Sequence, residues 1–120
     1  MNAILFFCHG SRDPQWRVPF EQILADFRSM HVTKLAELAF LEFMTPEFDP
    51  AVESLITQGA TSIRVIPLFL AQGAHTRRDL GDLLEAASLT HPNVRFSVAP
   101  AIGEIDSIRS AISSWVAGQV

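Results

Sequence analysis

Two histidines stand just after apolar runs that are typical of buried strands. His9 directly follows the run at residues 3–8, and His75 follows the run at residues 62–68 after a turn through Gln72 and Gly73. A neutral imidazole binds divalent transition metals, and near neutral pH it also accepts protons. The two histidines are 66 positions apart and form no local metal motif. A shared site therefore requires a fold that brings the two strand ends together.

Strand-like and helical patterns alternate along the chain. Strands are predicted at residues 3–8, 35–43, 62–68 and 94–98. Helices are predicted at residues 14–30, from about 50 to 58, from a Thr76 cap to about 88, and from about 105 onwards. This alternation predicts an α/β fold with a parallel sheet, helices on both faces and right-handed crossovers. For four strands we expect the flavodoxin-like order 2-1-3-4.

The apolar residues indicate which surfaces face the core. The third strand is typical of a strand buried on both faces. The first helix repeats apolar residues at helical spacing, at Phe20, Ile23, Leu24, Phe27 and Met30. The last helix does the same at Ile105, Ile108, Ile112 and Trp115. Both stripes are predicted to point inward.

The order 2-1-3-4 places His9 and His75 after neighbouring strands, at the switch point where ligands bind in such sheets. Adjacent strands lie about 4.8 Å apart, so two imidazoles leaving their ends can reach one ion. Glu42 lies at the carboxyl end of the second strand and is the candidate third group, with a solvated loop carboxylate as the alternative. A site with two imidazoles and open positions suits a transition metal that is used or handed on, rather than a closed structural zinc.

Hydrogen-bond donors flank both histidines. Ser11 and Arg12 follow His9, and Arg77 and Arg78 follow His75. Such groups bind carboxylates or phosphates, although ordinary surface charge is the alternative for the arginines. The chain has no G-x-G-x-x-G, Walker or G-x-S-x-G motif, so neither a nucleotide nor a serine nucleophile is expected. The histidine phosphatases have an arginine before their histidine, where this chain has Cys8.

Length and charge restrict the class of protein. With 120 residues, we expect one domain spanning residues 1–120. The formal charge of −4 is unlike that of a protein that binds nucleic acid. Cys8, the one cysteine, is expected to be a small core residue. The chain start is unlike a signal peptide and no apolar run reaches the length of a membrane span, so the cytoplasm is expected.

Several short segments together resemble the small, single-domain sirohydrochlorin chelatases. The resemblance lies in residues 9–12 (His-Gly-Ser-Arg), residues 40–42 (Phe-Leu-Glu), and residues 67–70 (Pro-Leu-Phe-Leu) followed by Gly73 and His75. It runs in order along nearly the whole chain. Two departures are Cys8, where family members often have glycine, and residues 80–81 (Leu-Gly), where they often have Ile-Pro.

The resemblance implies a class II chelatase, a lyase that inserts cobalt, iron or nickel into sirohydrochlorin without ATP, in cobalamin or siroheme biosynthesis. It assigns metal binding to His9 and His75 and matches the family's glutamate to Glu42. We expect one of these three groups to take the pyrrole protons. Ser11 and the three arginines are expected to bind the substrate's carboxylates.

Longer relatives hold two such domains around a cleft, and short ones pair as homodimers, so a homodimer is expected. Two alternatives remain open. One is a metal carrier on the same fold, and the other is a flavodoxin-like binding module with incidental histidines.

Overall fold

The computed structural model describes residues 1–31 and 34–120. Four strands are present, β1 (Asn2–Cys8), β2 (Leu35–Phe40), β3 (Ser62–Pro67) and β4 (Arg95–Val98). Four α-helices follow them in turn, α1 (Val18–Met30), α2 (Phe48–Thr57), α3 (Ala74–Thr90) and α4 (Asp106–Ala117). Short 3-10 helices at Pro14–Arg17 and Ile102–Glu104 precede α1 and α4.

The four strands form one parallel sheet in the order β2-β1-β3-β4, which confirms the predicted fold class and order. Phe6 in β1 lies opposite Leu38 in β2 and Ile66 in β3. Because all strands run the same way, their carboxyl ends share one edge of the sheet. We call this the carboxyl edge, and it carries the loops that hold the predicted site residues.

Side chains of β1 alternate between two hydrophobic layers. Leu5 and Phe7 face α2 and α3, within a core that includes Leu55 and Val65. Phe6 and Cys8 face the layer that contains α1. The central strand is therefore buried on both faces from Leu5 to Cys8, while Asn2 at its start and His9 just beyond its carboxyl end are exposed.

Two element boundaries at the carboxyl edge differ from the predictions. β2 ends at Phe40 rather than Phe43, because the following loop leaves the strand direction and Phe43 takes a positive φ of 67°. α3 begins at Ala74 with Gly73 as its N-cap, rather than after Thr76. The amide of Arg77 donates to the Gly73 carbonyl (3.1 Å), so the first turn closes earlier and includes His75.

Three predictions of burial were wrong in part or in whole. In α1, Phe20, Leu24 and Phe27 pack inward, but Ile23 and Met30 are exposed. In β3, Arg64 is exposed, so that strand is covered fully on one face only. The apolar stripe of α4 was predicted to be buried, yet Ile112 and Trp115 are exposed, because α4 packs mainly on the preceding 3-10 helix and not on the sheet.

Across residues 1–31 and 34–120, none of the helices combines the length and the apolar character needed to span a membrane.

Candidate functional site

His9 is exposed at the carboxyl edge, and an aromatic ring holds its side chain. The imidazole stacks on Phe69, with ring centroids 4.1 Å apart and an interplanar angle of 32°. Phe69 is buried and also contacts Phe7 edge-on, so it is anchored in the core. The amide of Leu68 donates to the Phe7 carbonyl (2.9 Å) and continues the pairing of β1 and β3 up to this point. The loop after β3 thus supports the histidine that ends β1.

The loop after β2 closes against the other side of His9. The amide of Glu42 donates to the His9 carbonyl (3.1 Å), and the amide of Leu41 donates to the Cys8 carbonyl (2.8 Å). Gly10 has a φ of +95°, and a Cβ there would overlap the carbonyl oxygen of Glu42. Only glycine combines this backbone angle with this contact. The backbones of His9 and Glu42 are therefore adjacent, and both side chains are exposed.

His75 lies in the first turn of α3, on the loop side of β3, and is exposed. No side chain caps this helix N-terminus, so its first amides are free of a side-chain partner. His9, Glu42 and His75 all belong to the carboxyl edge, as predicted. They do not form a three-ligand metal group; none of that kind occurs in residues 1–31 and 34–120.

The predicted donor residues follow the two histidines in the same loops and first helical turn. The Ser11 hydroxyl accepts a hydrogen bond from the Asp13 amide (3.0 Å), and the Arg12 guanidinium lies 4.7 Å from the centroid of the Phe43 ring. The Arg77 guanidinium donates to the Gln72 carbonyl (2.9 Å), which turns it back over the loop before α3. Arg78 is exposed.

Sequence reasoning missed two apolar residues at this edge. Phe43 is 55% exposed and Leu70 is 66% exposed, each three residues beyond the end of its strand. Phe43, Ser11 and Arg12 line a groove of about 280 Å³ between the loops after β1 and β2. Single exposed apolar side chains are common on protein surfaces, but Phe43 lies within this groove, against the Arg12 guanidinium. For Leu70 the available signal was its position between the end of the third strand and His75, whereas Phe43 was predicted to lie inside the second strand.

Cys8 is next to His9 in sequence but faces the α1 layer and is fully buried. Burial raises the pKa of its thiol to about 12, so the thiol stays protonated at neutral pH. Cys8 is a core residue, as expected, because its side chain packs in the α1 layer and is shielded from the edge where His9 is exposed.

The comparisons with known proteins identify the family and the fold of this chain. The CbiX family model matches residues 3–118. A sirohydrochlorin ferrochelatase of Bacillus subtilis (strain 168) is 30% identical over 111 residues, which is 92% of this chain and 42% of that protein. A sirohydrochlorin cobaltochelatase of Saccharolobus solfataricus is 37% identical over 87 residues, which is 70% of this chain and 64% of that protein. The chain thus spans between two fifths and two thirds of these relatives' lengths.

Solved structures show the same fold. A crystal structure described as a cobalamin (vitamin B12) biosynthesis CbiX protein from Marinobacter aquaeolei VT8 superposes with a TM-score of 0.86 at 31% identity, covering 99% of this chain and 94% of that one. SirB from Bacillus subtilis, solved with Fe³⁺, superposes with a TM-score of 0.82 at 29% identity, covering 94% of this chain and 45% of that one. The CbiX family model covers almost the whole length of this chain, and the chain therefore belongs to the CbiX family.

Proposed function

We propose that this protein inserts a divalent metal ion, cobalt, iron or nickel, into sirohydrochlorin without using a nucleotide. The observation that carries the proposal is the pair of exposed histidines, His9 and His75, at the carboxyl edge beside the donor residues. Family membership and the chelatases among its relatives support it. The metal ion is a substrate of this reaction.

His9 and His75 would bind the metal ion and present it to the face of the ring. Two imidazoles leave coordination positions free for the pyrrole nitrogens, as a site that passes its ion on requires. Insertion exchanges two pyrrole N–H protons for one dication. His9, His75 or Glu42 takes these protons and passes them to water.

Cationic residues would bind the carboxylates around the rim of the substrate. Arg12 follows His9 by three residues, and Arg77 and Arg78 follow His75 within α3. The uncapped N-terminus of α3 adds free backbone amides and the positive end of a helix dipole, which also attract carboxylates. Ser11 supplies a hydroxyl next to Arg12.

The flat, apolar face of the macrocycle requires apolar contacts as well. Phe43 and Leu70 are the exposed apolar side chains in the two loops that follow β2 and β3. We assign to them the contact with the ring plane.

We further propose that residues 1–120 act as one chelatase domain and that two copies pair as a homodimer. The chain covers 42% of the Bacillus subtilis ferrochelatase and 45% of the SirB chain, so a second copy would supply a comparable second half. A cytoplasmic setting suits a chain whose one cysteine is a buried free thiol.

The decisive experiment is anaerobic metal insertion followed by visible absorbance. Purified protein is mixed with sirohydrochlorin and, separately, Co²⁺, Fe²⁺ or Ni²⁺, and the rate is compared with the uncatalysed rate. We expect His9→Ala and His75→Ala each to lower the rate at least about 100-fold, the size typical of losing a general base or positioning group. The matched control is His91→Ala, because His91 lies at the opposite end of α3.

Full activity in both His9→Ala and His75→Ala would overturn the assignment. No acceleration by the unchanged protein, combined with metal binding that is lost in His75→Ala, would instead identify a metal carrier on this fold.

A further inference from the structure

The His9 imidazole lies on a ring that belongs to the core. His9 is exposed, whereas Phe69 is only 3% exposed, and the two ring centroids are 4.1 Å apart at an interplanar angle of 32°. Across residues 1–31 and 34–120, no hydrogen bond to the imidazole accompanies this contact. The face of Phe69 is therefore the contact that sets the direction of the His9 side chain.

Phe69 is itself held from two sides. The amide of Leu68 donates to the Phe7 carbonyl (2.9 Å), and the Phe7 ring meets the Phe69 ring edge-on. On the other side, the Gly103 amide donates to the Phe69 carbonyl (3.1 Å). A Cβ on Gly103 would overlap the Leu70 carbonyl, so the second 3-10 helix lies directly against the loop after β3. Because the Phe69 ring is buried and its backbone is bound, the surface under the imidazole is rigid.

A contact on the face of an imidazole suits a metal ligand. The lone pair that binds a metal ion lies in the plane of the ring, so a stacked partner does not compete with the ion. A metal-binding histidine is usually oriented by a hydrogen bond from its second nitrogen, which occupies that atom. At His9 the face of Phe69 sets the plane of the ring instead, and within the described residues both ring nitrogens stay without a protein partner. One nitrogen is then available for the metal ion and the other for water.

We propose that Phe69 is a positioning residue, which fixes the plane in which the His9 imidazole binds the metal ion. This inference rests on the proposed function, because it requires His9 to be a metal ligand. In the part of the chain that the structure describes, no ring stacks on His75, which lies in the exposed first turn of α3. The effect of Phe69 on metal binding should therefore pass through His9 alone.

Cobalt binding to the full chain tests the proposal, with Co²⁺ as the probe and equilibrium dialysis as the measurement. We expect Phe69→Leu to raise the Co²⁺ dissociation constant about tenfold or more, the loss typical of removing a group that orients a metal ligand. Leucine keeps the position apolar but offers no flat face. Phe48→Leu is the matched control, because Phe48 is similarly buried in the same core and contacts Phe7 instead of His9. It should leave the constant unchanged.

Double variants separate positioning from general destabilisation. In a His9→Ala background, Phe69→Leu should cause no further loss of Co²⁺ affinity, because the imidazole that Phe69 positions is gone. In a His75→Ala background, Phe69→Leu should cause the same loss of about tenfold as in the unchanged protein. A merely structural role would lower the affinity in both backgrounds.

Proton NMR of the metal-free protein tests the stack directly. The carbon-bound imidazole protons of His9 lie over the Phe69 ring, so their resonances should appear upfield of those of the exposed, unstacked His75. The His9→Ala spectrum assigns these resonances by the signals that it lacks. This measurement needs no change at Phe69, and it therefore decides the question even if Phe69→Leu does not fold.

His9 protons without an upfield shift would overturn the proposal, as would a Co²⁺ dissociation constant for Phe69→Leu equal to that of Phe48→Leu. An equal loss of affinity in both histidine backgrounds would also overturn it. The proposed function fails on a different result, because unchanged Co²⁺ affinity in His9→Ala itself would mean that His9 is not a metal ligand. Lost affinity in His9→Ala together with unchanged affinity in Phe69→Leu would refute the positioning role alone.

Discussion

At the scale of single residues, the site depends on one exposed ring held by one buried ring. His9 follows a strand with no loop between, and its imidazole lies against Phe69, which is 3% exposed and belongs to the core. The preceding residue, Cys8, is the opposite case, because its side chain points into the core and its thiol is shielded from water. Neighbours in sequence thus have opposite chemical roles.

Burial of Cys8 predicts an alkaline loss of stability. Because its pKa is raised from 9.0 to about 12 on folding, the unfolded chain loses the thiol proton above pH 9 while the folded protein keeps it. The stability that comes from keeping the Cys8 thiol protonated is fully present below pH 9. The free energy of unfolding then falls by about 1.4 kcal/mol per pH unit as the pH rises above 9. Urea unfolding at pH 8, 9 and 10 should show this loss for the unchanged protein.

Cys8→Ala is the control for that experiment, because it removes the titrating group. Its free energy of unfolding should be lower at pH 8, owing to the smaller side chain, and should decline less steeply with pH. Equal slopes for the two proteins would contradict the assignment to Cys8.

At the scale of elements, two loops at the carboxyl edge form one unit. The loop after β1 and the loop after β2 contact each other at Gly10 and Glu42, where the backbones touch. We predict that Gly10→Ala destabilises the protein by about 1–3 kcal/mol, because φ there is positive and the Cβ collides with a carbonyl. Metal insertion should fall at least about tenfold, because His9 and Glu42 must move apart. Urea unfolding and the absorbance assay measure the two effects.

Gly81→Ala is the matched control for this prediction. Gly81 lies inside α3 with open space where a Cβ would be added, so alanine there should stabilise the protein by about 0.5–1 kcal/mol. If Gly10→Ala kept both full stability and full activity, the contact between the loops would have no functional role.

At the scale of the whole molecule, the core on the α2 and α3 side also supports the site. Phe7 is fully buried at the centre of the sheet and contacts the rings of Phe48 and Phe69 at 5.8 and 6.1 Å. We predict that Phe7→Ala costs about 3–5 kcal/mol of the free energy of unfolding. That is a large share of the roughly 5–15 kcal/mol that holds such domains together. Urea or thermal unfolding measures the loss.

Phe20→Ala is the comparison for Phe7→Ala, because Phe20 packs on the α1 layer but is only partly buried. It should cost clearly less than Phe7→Ala. Equal losses in the free energy of unfolding would contradict the prediction, because they would show that the fully buried Phe7 and the partly buried Phe20 contribute alike to stability.

The sequence by itself determined the features that depend on local pattern. Apolar runs and helical spacing predicted four strands and four helices, because buried strands and amphipathic helices have different periods. The order β2-β1-β3-β4 was expected from the flavodoxin-like arrangement of such alternating elements, and the sheet confirms it. The position of His9 and His75 just after two such runs also predicted the edge at which they lie.

Only the tertiary structure decided the features that depend on distant contacts. The end of β2 at Phe40 follows from the loop that returns to His9, and the stacking of His9 on Phe69 joins residues 60 positions apart. The exposure of α4 is the clearest case. Its apolar stripe has the period of a buried helix, but contacts of Gly103 at the carboxyl edge direct it away from its own sheet. Periodicity shows that one face of a helix is apolar. The direction of the segment that precedes the helix determines which surface this face can contact.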